Sequence, residues 1–179
     1  MHMQMNAREI WTLIHGIVFG FIFLLGFSGA LYGLYSVKSE WQTPQGASRN
    51  VRILRIYLWA LVVLVWAAVF TGTYIIYPWY RAAPPVGAYD FSLYPRYFLL
   101  SSANTEGWQE FGMEWKEHVA FLAPMAGTVV AFAVSYYGPA LARKVSERRA
   151  VMIFFIVAFV AAAAAGLFGA LITRVAPVQ

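Results

Sequence analysis

The sequence predicts an all-α integral membrane protein folded as a four-helix up-down transmembrane bundle. Of its 179 residues, 61% are hydrophobic and only 12% are charged, whereas soluble domains carry about 25% charged residues. The hydrophobic residues fall into four runs, each long enough to cross a hydrocarbon layer of about 30 Å at about 1.5 Å per helical residue. Composition and run length together predict a single membrane domain, 1–179.

The four predicted spans are separated by charged or proline-containing segments. The first follows Arg8-Glu9, and the second ends in tyrosines and Trp79, which are typical of a membrane interface. The third contains Pro124, which predicts a kink. The predicted spans are residues 10–37, 56–80, 118–142 and 150–173, with an extramembrane loop at 81–117.

The distribution of charge between the loops predicts an orientation. Segments 38–55 and 143–149 together carry eight basic and two acidic residues, whereas the loop 81–117 carries three basic and five acidic residues. By the positive-inside rule, the two basic segments face the cytoplasm. We therefore expect a protein of the cytoplasmic (plasma) membrane, with both termini and the 81–117 loop on the outer side.

The absence of cysteine limits the chemistry. Without thiols the chain forms no disulfide, Fe–S cluster, thiolate zinc site or covalently attached c-type haem. The net charge of +5 lies beside apolar segments, which indicates contact with lipid head groups rather than nucleic acid. Any metal or cofactor must therefore be held by histidine, methionine, tyrosine, carboxylate or backbone groups.

Two histidines, His15 and His118, lie at the edges of apolar runs, where an ionisable group costs free energy unless it has a partner or a function. They lie on the first and third spans, which run in the same direction, so both are expected near the outer surface. The helical face of His15 continues with Phe19, Ile22, Gly26, Gly29 and Gly33, and that of His118 with Phe121, Met125, Thr128, Phe132 and Ser135. Because small and polar residues mark helix contacts, we expect both rings to face each other across the core.

Two facing histidines predict the axial ligands of one b-type haem near the outer face. The macrocycle needs space between helices, and its propionates need cations, for which guanidinium groups are suited. Glu114, one turn before His118, is expected to orient the imidazole. The predicted cofactor-binding residues are His15 and His118 as iron ligands, Gly16, Gly20, Gly166 and Gly169 for space, and Arg8, Arg81 and Arg96 for the propionates.

These residues predict an integral-membrane electron-transfer protein of the cytochrome type, and a redox subunit rather than a stand-alone enzyme. It would exchange electrons with quinol or with a docked redox partner in a larger membrane complex. A quinone site built from Tyr74, Tyr77 and the aromatic residues of the loop is a further expectation.

Three alternatives remain open at this stage. A cofactor-free accessory subunit would use the glycine faces for assembly. A non-haem metal site would combine His15 and His118 with Glu114 and Glu117, a nitrogen and oxygen set suited to iron, zinc, copper or manganese. Finally, each histidine would simply be hydrogen-bonded near the interface, where it costs little free energy.

Overall fold

The computed structural model describes residues 5–38 and 44–176, and it shows a bundle of four long helices. These described ranges contain no β-strand. Each of the four helices is long and apolar enough to cross a membrane, which confirms the predicted fold class. The helices are α1 (Ala7–Ser36), α2 (which begins at Pro44 and has Ser48–Tyr80 as its membrane-length part), the short α3 (Pro95–Leu100), α4 (Trp108–Ala142) and α5 (Val145–Val175).

The long helices pack as predicted for an up-down bundle. Both α1 and α4 contact α2 and α5, so α1 and α4 lie on a diagonal. The main core contains Phe23, Leu58, Val130 and Phe155, each at most 1% exposed. In the most apolar 18-residue stretch of α1, only 6% is buried, whereas 28–33% of the corresponding stretch is buried in each of the other three helices. The first helix is therefore the most peripheral.

The glycine face of α1 packs closely against α2. A Cβ atom added at Gly26 would lie 2.5 Å from a methyl group of Leu61, and one added at Gly33 would lie 2.8 Å from Leu54. The Tyr57 hydroxyl donates a hydrogen bond of 3.0 Å to the carbonyl oxygen of Gly26. Small residues thus let the two backbones approach, as the sequence predicts for this face.

Three side-chain hydrogen bonds fix the antiparallel register of α2 against α4. Along α2 the donors are separated by seven and then eleven residues, and the acceptors on α4 follow the same steps in reverse. Each of the three aromatic rings thereby finds a partner for its polar atom. The bonds run from Trp59 to Ser135 (3.1 Å), from Trp66 to Thr128 (3.1 Å) and from Tyr77 to Glu117 (2.7 Å).

One end of the bundle, here called the arginine end, is tied together by Arg148 at the start of α5. Its Nη1 donates to the carbonyl oxygen of Val37, directly after α1, at 2.8 Å, and to that of Ala142, at the end of α4, at 3.0 Å. These carbonyls belong to helix ends, which lack intrahelical partners. A single guanidinium therefore connects three of the four long helices.

The opposite end, here called the histidine end, holds His15, Tyr77 and His118 and contains the π-helical turns of the described residues. Three π-helical segments, Ile14–Phe21, Gly72–Ile76 and Trp108–Met113, lie in α1, α2 and α4. The α-helical pattern of α4 is also interrupted at Ala120 and Phe121. Because Pro124 has no N–H to donate to the Ala120 carbonyl, that oxygen accepts from Ala123 instead, at 3.3 Å. The helix is therefore irregular in the turn before Pro124, where the sequence predicts a kink.

Candidate functional site at the histidine end

His15 rests against α2 in a space that a glycine provides. Its Nδ1 lies 3.2 Å from the hydroxyl of Thr71, and that hydroxyl itself donates to the carbonyl of Ala67 at 2.7 Å. The threonine oxygen therefore accepts from the ring, which places the proton on Nδ1 and leaves the lone pair on Nε2. A Cβ atom at Gly72 would come within 2.8 Å of His15 Cε1, so the ring occupies its position only because residue 72 is glycine.

His118 is exposed, and its partner lies on its own helix. The ring Nδ1 is 2.7 Å from the main-chain carbonyl oxygen of Glu114. A carbonyl oxygen only accepts, so Nδ1 carries the proton and Nε2 again carries the lone pair. Glu114 therefore orients the ring, as its spacing predicts, but through its backbone and not through its exposed carboxylate.

The predicted inward orientation of the His118 face is wrong. Phe121, Met125 and Phe132 are 37%, 48% and 63% exposed. Thr128 and Ser135 lie at the edge of this face, where their hydroxyls accept from tryptophans of α2. The polar residues of α4 therefore mark its contact with α2, not a face toward the centre, and the structure does not bring the two rings together.

The other predicted haem residues also lie apart. Nothing stands within 4 Å of a Cβ added at Gly16 or Gly166, and one added at Gly20 would meet only the backbone of His15. A Cβ at Gly169 would meet the Lys116 side chain. The Arg8 guanidinium lies 6.0 Å from the ring centre of Trp79, and that of Arg81 lies 5.3 Å from the ring centre of Tyr77. Arg96 is half-buried and is the second residue of α3. The structure gathers no common slot from these residues, and the haem assignment stays a prediction.

The structure pairs the half-buried acid Glu117 with a tyrosine of α2, whereas the sequence predicts this acid only as a possible ligand of a non-haem metal site. Glu117 accepts a hydrogen bond of 2.7 Å from the Tyr77 hydroxyl through Oε2. Its second oxygen, Oε1, is buried and has no hydrogen-bond partner among the described residues. Arg81 donates to the Tyr77 hydroxyl at 3.3 Å, so the phenol links the carboxylate to a cation at the surface. An unpaired buried carboxylate oxygen is costly and calls for a ligand or water.

Lys116 supplies a cation beside this acid. Its ammonium lies against Gly169 of α5, 3.2 Å from the position of a Cβ there. The lysine interacts electrostatically with both Glu117 and His15. Yet the one ion pair within the described residues is Lys144–Glu147, so the ammonium has no carboxylate within contact distance. A lysine so placed in a membrane bundle is a candidate functional group.

We call His15, Thr71, Tyr77, Lys116 and Glu117 the polar cluster. It combines donors, the ammonium and the phenol, with acceptors, the Glu117 carboxylate and the His15 Nε2. The cluster joins α1, α2 and α4, and α5 contributes the space at Gly169. π-Helical turns, which recur at functional sites, occur on the three helices that supply the side chains.

A second buried polar pair closes the end of the bundle next to the cluster. Tyr80 is 2% exposed and Gln109 is 6% exposed, and the tyrosine hydroxyl donates to the amide oxygen of Gln109. This pair connects the last turn of α2 with the first turns of α4. Because these two groups satisfy each other, they form the wall of the site rather than a ligand-binding part of it.

Comparison with known proteins leaves the site to be interpreted from its geometry. No family model, curated protein or solved structure matches this chain. The polar cluster and its position at one end of the bundle are therefore the features that indicate a function.

Proposed function

We propose that the protein is the membrane subunit of a redox complex and that its polar cluster binds the head group of a quinol or quinone. The observation that carries this proposal is the buried Oε1 of Glu117, which has no hydrogen-bond partner among the described residues. Lys116 directly precedes it on α4, and its ammonium forms no ion pair with a described carboxylate. A quinol hydroxyl donates a hydrogen bond, for which the carboxylate is an acceptor. A quinone carbonyl accepts one, for which the ammonium is a donor.

The lack of any Asp, Glu, Lys, Arg or His on α4 between His118 and the arginine end favours a one-sided reaction over a path across the membrane. Between the cluster and the arginine end, the polar side chains of α4 that face α2 are Thr128 and Ser135, and both are hydrogen-bonded to indoles. Neither is ionisable, so the helix offers no relay of titratable groups toward the other side. We therefore expect a ligand of this site to react on the side of the membrane on which it binds. With the orientation that the charge of the loops predicts, the reaction would take place on the outer side.

A quinol suits a site between membrane helices because it is soluble in lipid. It reaches the bundle through the bilayer, without a water-filled entrance. Oxidation of one quinol to quinone releases two protons and two electrons. The Glu117 carboxylate and the His15 Nε2 are the acceptors available for the protons, and the electrons pass to a metal centre, such as a haem, in the redox partner.

Binding of a short-chain quinone to the protein in lipid nanodiscs tests the proposal, with quenching of tryptophan fluorescence as the readout. The wild type is expected to show saturable quenching. Glu117→Gln and Lys116→Met should each weaken binding about tenfold or more, because a hydrogen bond to a charged group contributes about 1.5–3 kcal/mol.

Glu110→Gln is the matched control, because Glu110 lies on the same helix and is exposed. Its quinone affinity should equal that of the wild type. Quenching that does not saturate in the wild type, or equal affinities for the control and the two cluster variants, would contradict the proposal.

A second candidate is the function predicted from the sequence, electron transfer through one b-type haem. The observation that favours it is the tautomer of both histidines, since each commits Nδ1 as a hydrogen-bond donor and leaves Nε2 free. Histidines that bind a metal commonly hold their second ring nitrogen in this way. A bound haem would supply one-electron transfer.

A reduced-minus-oxidised optical spectrum of protein expressed with added haem tests this candidate. The haem hypothesis predicts an α-band that is lost in His15→Ala and in His118→Ala. A wild-type protein without an α-band would remove haem and leave the quinone proposal standing. If quinone binding is absent as well, the two results together would support the alternative of a cofactor-free accessory subunit.

A further inference from the structure

Of the three lysines in the chain, Lys116 is the one whose amine lies between two membrane helices. Its Nζ and Cε atoms are 3.2 and 3.4 Å from the position of a Cβ at Gly169, so a glycine of α5 provides the space for the amine. Within the described part of the chain, no residue forms an ion pair or a hydrogen bond with this ammonium. By contrast, Lys144 is paired with Glu147 at 3.1 Å.

The face of α5 opposite Lys116 carries no acid. Gly169 and Ile172 lie on this face, because a Cβ at Gly112, one turn before Lys116, would meet Ile172 at 3.6 Å. Ile172 is 4% exposed, and α5 has no acidic residue after Glu147. The facing helix therefore offers the amine apolar surroundings and no counterion. In such surroundings a lysine amine acts as a nucleophile toward carbonyl compounds.

A cavity of about 400 Å³ lies one helical turn from this lysine, between the loop before α4 and the contact of α4 with α5. It is bounded by that contact, since a Cβ at Gly112 would lie 3.4 Å from Phe168, and Phe168 directly precedes Gly169. Its aromatic walls are Trp108, Phe111 and Phe168. A volume of this size with mostly apolar walls is typical of sites for small lipophilic ligands.

We propose that Lys116 forms a Schiff base with a lipid-soluble aldehyde whose apolar part occupies this cavity. The ammonium and the aldehyde give a protonated imine and one water molecule, so a C=N bond replaces the C=O bond and no electron is transferred. The aldehyde must dissolve in lipid because the amine lies between membrane helices. Its apolar part matches the aromatic walls, and its carbonyl carbon is the electrophile that a lysine amine attacks.

Reductive trapping with borohydride tests this proposal on the protein in lipid nanodiscs, with decanal as the aldehyde. Reduction converts the imine into a stable secondary amine, and peptide mass spectrometry identifies the modified lysine. At limiting decanal, the adduct at Lys116 should exceed that at Lys144 about tenfold or more, because desolvated lysine amines are the reactive ones. The chain has no cysteine, so no thiol competes for the aldehyde.

Lys144 serves as the control within the same sample. Its side chain is 45% exposed, whereas Lys116 is half-buried. If access alone decided the reaction, Lys144 would be modified first. An adduct at Lys144 that equals or exceeds the adduct at Lys116 would overturn the proposal.

Gly107→Trp tests whether the cavity holds the ligand. Nothing lies within 4 Å of a Cβ added at Gly107, so the residue can be enlarged, and an indole there would fill the cavity that Gly107 lines. The adduct at Lys116 should fall severalfold, while that at Lys144 stays unchanged. An unchanged adduct at Lys116 would overturn the placement of the ligand in the cavity. These experiments contain no quinone, so their failure leaves the quinone proposal standing.

Discussion

Arg148→Ala is expected to destabilise the bundle by about 3 kcal/mol, because it removes two hydrogen bonds from a charged donor, each contributing roughly 1.5–3 kcal/mol. The carbonyls of Val37 and Ala142, which accept these bonds, would lose their partner at the ends of two helices. Val37 is only 1% exposed, so its carbonyl cannot easily turn to water. Thermal unfolding in detergent should show a Tm lower by about 6–12 °C.

Arg149→Ala provides the control for this substitution. The neighbouring arginine has the same charge, is exposed, and makes no hydrogen bond with the described residues. We expect a change below about 0.5 kcal/mol, as for most surface substitutions. If the two alanine variants unfold at the same temperature, Arg148 does not hold the three helices together.

Gly26→Leu is expected to separate α1 from α2. Even a Cβ at this position would lie 2.5 Å from Leu61 and 2.9 Å from the Tyr57 hydroxyl, so a leucine side chain must push the two helices apart. Overpacking typically costs about 1–3 kcal/mol, and the bond from Tyr57 to the Gly26 carbonyl would contribute about 1 kcal/mol more. Better helix propensity offsets about 1 kcal/mol of this. A net loss of about 2 kcal/mol should appear as a lower Tm.

The same substitution at Gly16 tests whether the close contact is the cause. Gly16 lies on the same helix, but nothing stands within 4 Å of a Cβ added there. Gly16→Leu should therefore leave Tm unchanged or raise it slightly through helix propensity. A similar loss of stability in both variants would mean that α1 tolerates no larger residue for reasons other than its contact with α2.

The helices and the glycine face of α1 could be predicted because their signals are local. Long uncharged runs specify membrane helices, and glycines at helical spacing specify a close approach, which Gly26 and Gly33 make with α2. The orientation of α4 could not be predicted in the same way. Thr128 and Ser135 are polar because two tryptophans of α2 donate to them, and a single helix pattern does not reveal where such partners lie.

The pairing of Glu117 with Tyr77 was missed for a related reason. Glu117 lies among acids at helical spacing, a pattern typical of a solvated first turn, yet it is the one that meets Tyr77 inside the bundle. The available signal was a relation between two helices. Trp66 and Tyr77 are eleven residues apart on α2, and Thr128 and Glu117 are eleven residues apart on α4. An antiparallel alignment of aromatic donors with polar acceptors therefore pairs Tyr77 with Glu117.

The contrast between the two ends also determines which way the bundle can deform. At one end, the Arg148 guanidinium holds α1, α4 and α5 at a common pivot. At the other end, three π-helical segments and the break before Pro124 interrupt the regular backbone ladder. We therefore expect the helices to separate more easily at the histidine end than at the arginine end. A lipid-soluble ligand would then enter the polar cluster from the side, out of the bilayer, while the hydrogen bonds of Arg148 stay in place.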